Sequence, residues 1–259
     1  MRKEKTYNLF NRKAFVLGGS GLIGSEVINN LSFNGCKVVN LDLKKSDKHK
    51  AKFIKFDITK NSIKKQYSNV IKKFGLPDIF INCSYPRTSD WKNNSFNKIK
   101  INSLKKNIES HITYSSFLIK EVAETNKKRK KNCSIILLSS IYGLVGQDNF
   151  LYKGTDVKEN MTYSIAKGAI INLTKQMASY YTRYGIRVNN ICPGGVIDKK
   201  MFKNNLKYKR LVKNYSKRSP IGRMASAEEI AQPIVFLASD YSSYISGTSL
   251  VVDGGWTAI

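Results

Sequence analysis

The stretch that decides the fold is Ala14-Phe15-Val16-Leu17-Gly18-Gly19-Ser20-Gly21-Leu22-Ile23-Gly24. Its apolar start predicts a buried strand, and residues 25–31 have the periodicity of a helix. Strand, glycine-rich turn and helix form the arrangement that a dinucleotide site requires. Glycines at 18, 21 and 24 let the backbone turn tightly beside a pyrophosphate, to which the helix N-terminus presents unpaired N–H groups.

A carboxylate follows the next predicted strand, because residues 37–41 lead directly into Asp42. A carboxylate in this place accepts hydrogen bonds from the ribose hydroxyls of NAD and repels the 2′-phosphate of NADP. Lys44 and Lys45 follow at once and would instead attract that phosphate. We therefore predict NAD as the cofactor and keep NADP as the alternative.

Strands and helices alternate along the whole chain, which predicts an α/β fold. We expect one domain over residues 1–259, with a doubly wound parallel sheet of about seven strands and helices on both faces. The later strands are predicted at about 52–56, 78–82, 134–138, 187–191 and 249–252. Helices are predicted at about 60–74, in two stretches over 93–126, and at 163–184 and 226–239. Residues 141–161 are predicted as a long irregular connection and residues 198–218 as a basic, polar segment.

Composition narrows the class of protein further. The chain has no run of about 18 apolar residues, so we expect no membrane span. The charged start, Met1-Arg2-Lys3-Glu4-Lys5, lacks the apolar centre of a signal peptide, which favours a cytoplasmic enzyme. The cysteines are far apart and fit buried thiols in a reducing compartment, and His49 and His111 have no ligand-like spacing. We predict no disulfide framework and no metal site.

The net charge of +27 is unusual. It fits either an anionic partner, such as a sugar phosphate, a nucleotide sugar or a nucleic acid, or a composition that places lysine at most solvated positions. The basic residues are spread along the chain, and their one dense run, residues 127–131, falls between a predicted helix and a predicted strand. We favour the compositional explanation and predict no nucleic-acid partner.

A second motif, Tyr163-Ser164-Ile165-Ala166-Lys167, carries candidate chemistry. A spacing of four places Tyr163 and Lys167 on one face of a helix, about one turn apart. An ammonium beside a phenol stabilises phenolate and is expected to lower the phenol pKa. Tyr163 is therefore a candidate general acid/base near neutral pH.

Together and in this order, the motifs resemble the short-chain dehydrogenase/reductase family over nearly the whole chain. The glycine turn is followed by Asn82 at the end of the fourth strand, by a Ser pair after the fifth, by Tyr163 and Lys167, by Pro193-Gly194, and by Val252-Asp253-Gly254-Gly255. The resemblance implies a Rossmann fold and an NAD(P)-dependent oxidoreductase. Such an enzyme interconverts a secondary alcohol and a ketone by hydride transfer.

The resemblance also implies the catalytic roles. Ser140, rather than Ser139, would polarise the substrate oxygen, and Tyr163 would transfer the proton. Lys167 would lower the pKa of Tyr163 and bind the nicotinamide ribose. The helix-borne Asn of the family, which completes a proton relay through water, best matches Asn107, with Asn102 as the alternative.

The resemblance implies the cofactor contacts as well. Asp57 and Ile58 would flank the adenine, whereas Pro193, Gly194 and Val196 would line the nicotinamide. The full predicted set is Gly18, Ser20, Gly21, Leu22, Ile23, Gly24, Asp42, Asp57, Ile58, Asn82, Ser84, Tyr163, Lys167, Pro193, Gly194 and Val196.

Departures from the family pattern point to a subgroup. Cys83-Ser84-Tyr85 replaces the usual Asn-Ala-Gly, and the connection between Ser140 and Tyr163 is longer than usual. With these features the chain looks like the bacterial flagellin-modification dehydrogenases, which are associated with nonulosonic acids such as legionaminic acid. The implied substrate is an anionic sugar derivative, with Tyr85, Arg87 and Tyr152 as candidate contacts and Arg87 paired with the anion.

Two other functions stay open from the sequence. One is the same chemistry on a 3-oxoacyl or other hydrophobic ketone, against which the basic segment 198–218 argues. The other is a non-catalytic dinucleotide-binding sensor or interaction protein, against which the retained Ser140, Tyr163 and Lys167 argue. The family resemblance also implies a homo-oligomer, most simply a tetramer. In such an oligomer, helices matching about 104–126 and 163–184 pair across a two-fold axis.

Overall fold

The computed structural model describes residues 7–259; residues 1–6, to which the signal-peptide argument applied, lie outside the described residues. In this part of the chain seven strands form one sheet: β1 Lys13–Leu17, β2 Lys37–Asp42, β3 Lys52–Lys55, β4 Ile79–Asn82, β5 Cys133–Leu138, β6 Ile186–Pro193 and β7 Ser249–Val252. Neighbouring strands all pair in parallel, in the order β3-β2-β1-β4-β5-β6-β7. The strand order reverses between β1 and β4, which is where open α/β sheets bind ligands at their carboxyl edge.

Eight α-helices connect these strands in the described residues. They are α1 Leu22–Phe33, α2 Ile63–Phe74, α3 Ile101–Ile108, α4 Tyr114–Lys128, α5 Met161–Tyr181, α6 Lys199–Asn204, α7 Leu206–Arg218 and α8 Ala227–Ala238. The predicted single-domain, doubly wound α/β fold is confirmed. Within residues 7–259, no helix has both the length and the apolar content needed to cross a membrane.

The core lies on both faces of the sheet. Alternate strand residues point to opposite faces, so Phe15 and Phe80 join one cluster with α2, α4 and α5, whereas Val16 and Ile81 join another with α1 and α8. Burial on both faces explains why β4 and β5 are almost continuously apolar rather than alternating.

Several element boundaries differ from the sequence prediction. β6 continues through Pro193 instead of ending at 191, because it still pairs with β7 there, where Pro193 lies opposite Val252. Its pairing with β5 has already ended at Ile191. The missing N–H of proline therefore removes no bond to β5. The first predicted helical stretch after residue 93 begins only at Ile101, behind a short 3₁₀ turn at Trp91–Asn93.

The segment 198–218 is helical, not merely basic and polar. Asp198 caps α6 by accepting hydrogen bonds from the N–H groups of Lys200 (2.9 Å) and Met201 (3.1 Å), and Asn205 caps α7 through the N–H of Tyr208 (3.0 Å). The apolar face of α7 is short, and Tyr215 from it stacks on Trp256 with ring centres 4.6 Å apart. Six of the thirteen residues of α7 are Lys or Arg, which is why the sequence indicates a basic, polar segment.

A five-residue π-helical turn, Glu109–Thr113, joins α3 to α4. Turns of this type insert an extra residue into a helix, and they occur frequently at functional sites. Here the turn carries His111, which is buried. The turn places His111 next to α5 at the carboxyl edge of the sheet.

Candidate active site

The glycine turn after β1 is in direct backbone contact with the segment after β4. Gly18 has φ of +75°, and a Cβ built on it would stand 2.7 Å from the Cα of Ser84. The N–H of Cys83 donates to the carbonyl of Leu17 at 2.8 Å, which continues the pairing of the two strands into their turns. Only glycine satisfies both the positive φ and the close approach.

The N-terminus of α1 is open for an anion. Gly21 is its N-cap, and within the described structure no side chain caps the helix and no acidic residue lies in its first turn. Leu22 and Ile23 begin the helix, so their N–H groups belong to the unpaired set at a helix start. This arrangement fits the pyrophosphate of NAD(P).

Asp42 lies at the end of β2 beside the glycine turn. Its Oδ2 accepts the N–H of Ser20 at 2.9 Å, and its Oδ1 accepts the N–H of Leu43 at 2.7 Å. Oδ1 also accepts the N–H of Lys44 at 3.4 Å. An ionised carboxylate has about four acceptor positions, so one, on Oδ2, remains for a ribose hydroxyl. The Ser20 hydroxyl donates to the carbonyl of Lys44, which fixes the loop that follows Asp42 against the glycine turn.

Asn82 explains how Cys83-Ser84-Tyr85 can replace the usual Asn-Ala-Gly. Its Oδ1 accepts both the N–H of Ser84 (3.0 Å) and the Ser84 hydroxyl (2.6 Å), so one amide side chain holds the turn. At the end of β3, Asp57 accepts the N–H (3.0 Å) and the hydroxyl (2.7 Å) of Thr59. The Ile58 side chain is packed in the core, so only the backbone of Ile58 is placed to flank an adenine.

The residues predicted to line the nicotinamide follow β6. The N–H of Gly194 donates to the carbonyl of Val252 at 3.0 Å, and the N–H of Gly195 donates to the Tyr215 hydroxyl at 2.8 Å. Val196 forms a parallel bridge with Ala225. This segment is therefore held between β7 and α7, at the same edge of the sheet as the glycine turn.

The structure brings Ser140, Tyr163 and Lys167 together. Tyr163 and Lys167 lie on α5, and the Lys167 ammonium is 5.5 Å from the centre of the Tyr163 ring. Lys167 Nζ donates to the carbonyl of Leu138 at 2.7 Å. Ser140 hydrogen-bonds with Tyr163 through its side chain, whereas the Ser139 hydroxyl donates to the Lys167 carbonyl at 2.8 Å and anchors the helix. The geometry thus favours Ser140 over Ser139 as the residue that faces a substrate.

The predicted lowering of the Tyr163 pKa by Lys167 is wrong for the protein alone. Burial raises the pKa of Tyr163 above its usual value, and the hydrogen bond with Ser140 offsets only part of that rise. Burial also lowers the pKa of Lys167 to about 8. Both side chains lose water, and desolvation disfavours phenolate and ammonium alike, which outweighs their mutual attraction.

The structure does not support Asn107 as the relay residue. Its side-chain amide donates to the carbonyl of Ser103 (2.9 Å) and to the hydroxyl of Thr88 (3.0 Å), which is a structural role within α3. The alternative, Asn102, is exposed. His111, in the π turn that follows α3, lines a cavity together with Lys167, and it is one of only two histidines in the chain. A rare residue type on a helix next to the site was the signal available in the sequence.

Aromatic side chains cluster beside Tyr163. We call this cluster the aromatic wall; it consists of Tyr85, Trp91, Tyr142 and Tyr152. Ring centres are 5.6 Å apart for Tyr85 and Tyr163, 5.2 Å for Tyr85 and Trp91, and 6.3 Å for Tyr142 and Tyr163. The Tyr152 hydroxyl donates to Gln147 Oε1 at 3.0 Å. Sequence reasoning identified Tyr85 and Tyr152 but missed Trp91 and Tyr142, which follow no motif.

Arg87 stands at the rim of this wall. Its guanidinium lies 5.4 Å from the centre of the Tyr85 ring, and the residue is exposed. The long connection before α5 is tied to α7 by ion pairs of Asp148 with Arg218 (2.8 Å) and Asp156 with Lys207 (2.6 Å). The predicted substrate residues Tyr85, Arg87 and Tyr152 are thus brought to one side of Tyr163.

Comparison with known proteins agrees with this geometry. Residues 22–257 match the family described as enoyl-(acyl carrier protein) reductase. The chain is 27% identical to post-translational flagellin modification protein A of Campylobacter coli, over 96% of this chain and 99% of that protein. It is 29% identical to cis-4-hydroxycyclohexanecarboxylate dehydrogenase of Sinomonas cyclohexanicum, over 96% and 97% of the two chains.

Among solved structures, a short-chain dehydrogenase from Leptospira borgpetersenii with bound NAD+ superimposes with a TM-score of 0.83. The two chains are 28% identical, over 96% of this chain and 93% of the other. The open helix start, the carboxylate after β2 and the buried Tyr163–Lys167 pair all fit NAD(P) chemistry. The chain therefore belongs to the short-chain dehydrogenase/reductase family and is an NAD(P)-dependent oxidoreductase of the alcohol/ketone type.

Proposed function

We propose that this enzyme interconverts a secondary alcohol and a ketone on an anionic sugar derivative, such as a sugar phosphate or a nucleotide sugar, with NAD as its cofactor. The observation that carries the proposal is Arg87 at the rim of the aromatic wall, on the same side of the site as Tyr163. Aromatic faces pack well against the C–H face of a sugar ring, and a guanidinium binds phosphate or carboxylate through two N–H groups.

The charge around the entrance supports an anionic substrate. Helix α7 packs on the connection before α5, and α6 packs on α7. Both carry basic residues along their length: Lys199, Lys200, Lys203, Lys207, Lys209, Arg210, Lys213, Lys217 and Arg218. A cluster of one charge sign near a cleft attracts the opposite charge and raises its local concentration. A neutral hydrophobic ketone would gain nothing from this environment, which argues against that alternative.

The similarity to the Campylobacter protein supports a role in making a surface glycan. Its name refers to flagellin modification, and the match covers nearly all of both chains. The Ser140–Tyr163–Lys167 arrangement argues against a non-catalytic sensor, because a binding protein needs neither the buried lysine nor the serine–tyrosine hydrogen bond.

In this proposal each protein group has a defined task. Bound NAD(P) supplies the hydride acceptor or donor. Ser140 donates a hydrogen bond to the substrate oxygen, and Tyr163 takes the alcohol proton during oxidation or returns it during reduction. Lys167 provides positive charge next to Tyr163, and the aromatic wall excludes water from the reacting carbon.

The substrate proposal predicts activity with anionic sugars and a specific role for Arg87. We expect NADH formation with sugar phosphates or nucleotide sugars, and none with a 3-oxoacyl thioester assayed in the reductive direction. Arg87→Leu should raise KM by about 10- to 100-fold with little change in kcat, since a hydrogen bond to a charged group contributes about 1.5–3 kcal/mol. Initial rates measure both.

The control is Arg183→Leu, which removes an exposed arginine after the C-terminal end of α5. It should leave KM unchanged. Turnover of a neutral hydrophobic ketone, with KM unaffected by Arg87→Leu, would contradict the substrate proposal while leaving the family assignment intact.

For Tyr163, removal of the phenolic hydroxyl alone should nearly abolish turnover. General acid/base catalysis contributes on the order of 10²–10⁴-fold, so Tyr163→Phe should lower kcat by about that factor. NAD binding, followed by quenching of protein fluorescence, should persist because the ring and its packing remain. A Tyr163→Phe enzyme with wild-type kcat would refute the assigned role.

Cofactor preference tests the role of Asp42. We expect the wild-type enzyme to bind NADH more tightly than NADPH. Asp42→Ala should narrow that preference by about tenfold, because the charged acceptor for the ribose, which also repels a 2′-phosphate, is lost. Asp47→Ala, in the same loop, serves as the control. Tighter binding of NADPH by the wild type would mean that Lys44 or Lys45 dominates.

The oligomer is also a proposal. Helices α4 and α5 bury Leu118 and Met177 in the core but leave Phe117 and Ile165 exposed, so their outer faces still carry apolar surface. A homotetramer built across these faces would cover it. The net charge opposes association, but salt screens it over about 8 Å at physiological ionic strength.

Light scattering at physiological salt should therefore give a mass near four times 29.3 kDa at micromolar concentration. Phe117→Glu should reduce that mass, because it places a charge in the apolar face. Phe33→Glu, at an exposed position at the end of α1, is the control. A single 29.3 kDa species for the wild-type protein would refute the oligomer.

A further inference from the structure

The loop between β2 and β3, residues 43–51, is bound to the glycine turn near both of its ends. Near its start, the Ser20 hydroxyl donates to the carbonyl of Lys44. Near its end, His49 contacts the same turn, with its Nε2 3.1 Å from the carbonyl oxygen of Gly19. None of the roles assigned to the cofactor-binding residues uses this histidine.

The contact with Gly19 fixes the tautomer of His49. A carbonyl oxygen can only accept a hydrogen bond, so Nε2 must carry the proton. Nδ1 is then the bare nitrogen, and it is buried with no hydrogen-bond partner among residues 7–259. Asn40 packs against the half-buried ring, with its Nδ2 3.4 Å from Nε2. The bond from Nε2 to Gly19 is therefore what orients the imidazole.

Asn40, from the middle of β2, supports the glycine turn beneath this bond. The residue is fully buried, and its Nδ2 donates to the Ser20 hydroxyl at 2.9 Å. Its Oδ1 has no hydrogen-bond partner in the described part of the chain, and a Cβ built on Gly19 would stand 2.5 Å from it. A buried amide oxygen without a partner lowers stability. What the amide provides is the position of the turn to which His49 binds.

The position of the loop matters because the loop is basic. It contains four exposed lysines: Lys44, Lys45, Lys48 and Lys50. None of them forms an ion pair within residues 7–259. An ammonium group binds phosphate and so favours NADP, whereas Asp42, directly before the loop, repels the 2′-phosphate of NADP. Which charge faces the adenosine ribose therefore depends on how the loop is held.

We propose that His49 is a positioning residue for the choice of cofactor: its bond to Gly19 holds the loop 43–51 on the glycine turn, so that Asp42 rather than a lysine faces the adenosine ribose. The inference rests on the proposed preference for NAD. A loop bound at both ends has fewer conformations than a loop bound only at Ser20, so the form that binds NAD is already present before the cofactor arrives. Without the bond, the end of the loop moves more freely, and its lysines reach a 2′-phosphate more easily.

The test compares His49→Gln with His49→Asn. The side-chain amide nitrogen of glutamine extends about as far as Nε2 of histidine, whereas that of asparagine extends only about as far as Nδ1. His49→Asn should weaken NADH binding by about fivefold, because one hydrogen bond is lost. NADPH binding should be unchanged, so the preference for NADH narrows by the same factor. His49→Gln should keep the wild-type ratio of the two dissociation constants, which NADH and NADPH fluorescence titrations measure.

Two measurements without cofactor examine the bond itself. Amide hydrogen exchange over residues 43–51 should be about fivefold faster in His49→Asn than in the wild type, and unchanged in His49→Gln. Lys48→Ala, at an exposed position of the same loop, is the control and should leave the exchange rates unchanged. In ¹⁵N NMR of the wild type, His49, identified by its absence from the His49→Gln spectrum, should carry its proton on Nε2.

Three results would overturn the inference. The first is a proton on Nδ1 of His49, and the second is a loop in His49→Asn that exchanges no faster than in the wild type. The third is faster exchange with an unchanged ratio of NADH to NADPH affinity, which would make the bond purely structural. A wild-type enzyme that binds NADPH more tightly would overturn the proposed preference for NAD and with it the role in cofactor choice. The tautomer and the exchange rates would then still show whether His49 holds the loop.

Discussion

The backbone contact between Gly18 and Ser84 is the constraint on which the site depends. β1 and β4 are neighbours at the point where the strand order reverses, and their turns meet with no room for a side chain at residue 18. This contact fixes the start of α1 on one side. On the other side it fixes the segment after β4, from which Tyr85 reaches the Tyr163 ring at 5.6 Å. The glycine turn and the aromatic wall are therefore both positioned by this one backbone contact between Gly18 and Ser84.

Burial, rather than charge pairing, dominates the electrostatics of the site. Lys167 is buried under Tyr85 and Tyr163, and the pKa values of Lys167 and Tyr163 move in the directions that favour neutral forms. The hydrogen bonds that Lys167 makes with the Leu138 carbonyl and Tyr163 with Ser140 act against this tendency. A dry site strengthens each of these interactions, because water no longer competes for the same donors and acceptors. For the same reason, a buried donor or acceptor without a hydrogen-bond partner lowers the stability of the site.

The substrate side is assembled from segments that are far apart in the chain. The connection before α5 and helix α7 are joined by two ion pairs, and the Asn214 amide donates to the Leu151 carbonyl at 3.0 Å. The ion pairs are partly exposed, so each contributes little to stability. Instead they fix the position of α7, with its basic residues, against the connection that contributes Tyr152 to the aromatic wall. Tyr215 completes the link to the segment after β6 through the N–H of Gly195.

The sequence by itself determined the fold class, the glycine turn, Asp42 and the Tyr163–Lys167 pair, because these depend on local periodicity and on residues at fixed offsets. Ser140 was added by the resemblance to the family. The sequence failed where position depends on how elements pack. Asn107 is held by Ser103 and Thr88, whereas His111 lies in a π turn, which no local pattern distinguishes from a regular helical turn. The sign of the Tyr163 pKa shift depended on burial, which spacing along a helix does not reveal. Trp91 and Tyr142 reached the site only through tertiary contacts, since the chain brings them there from loops that carry no motif.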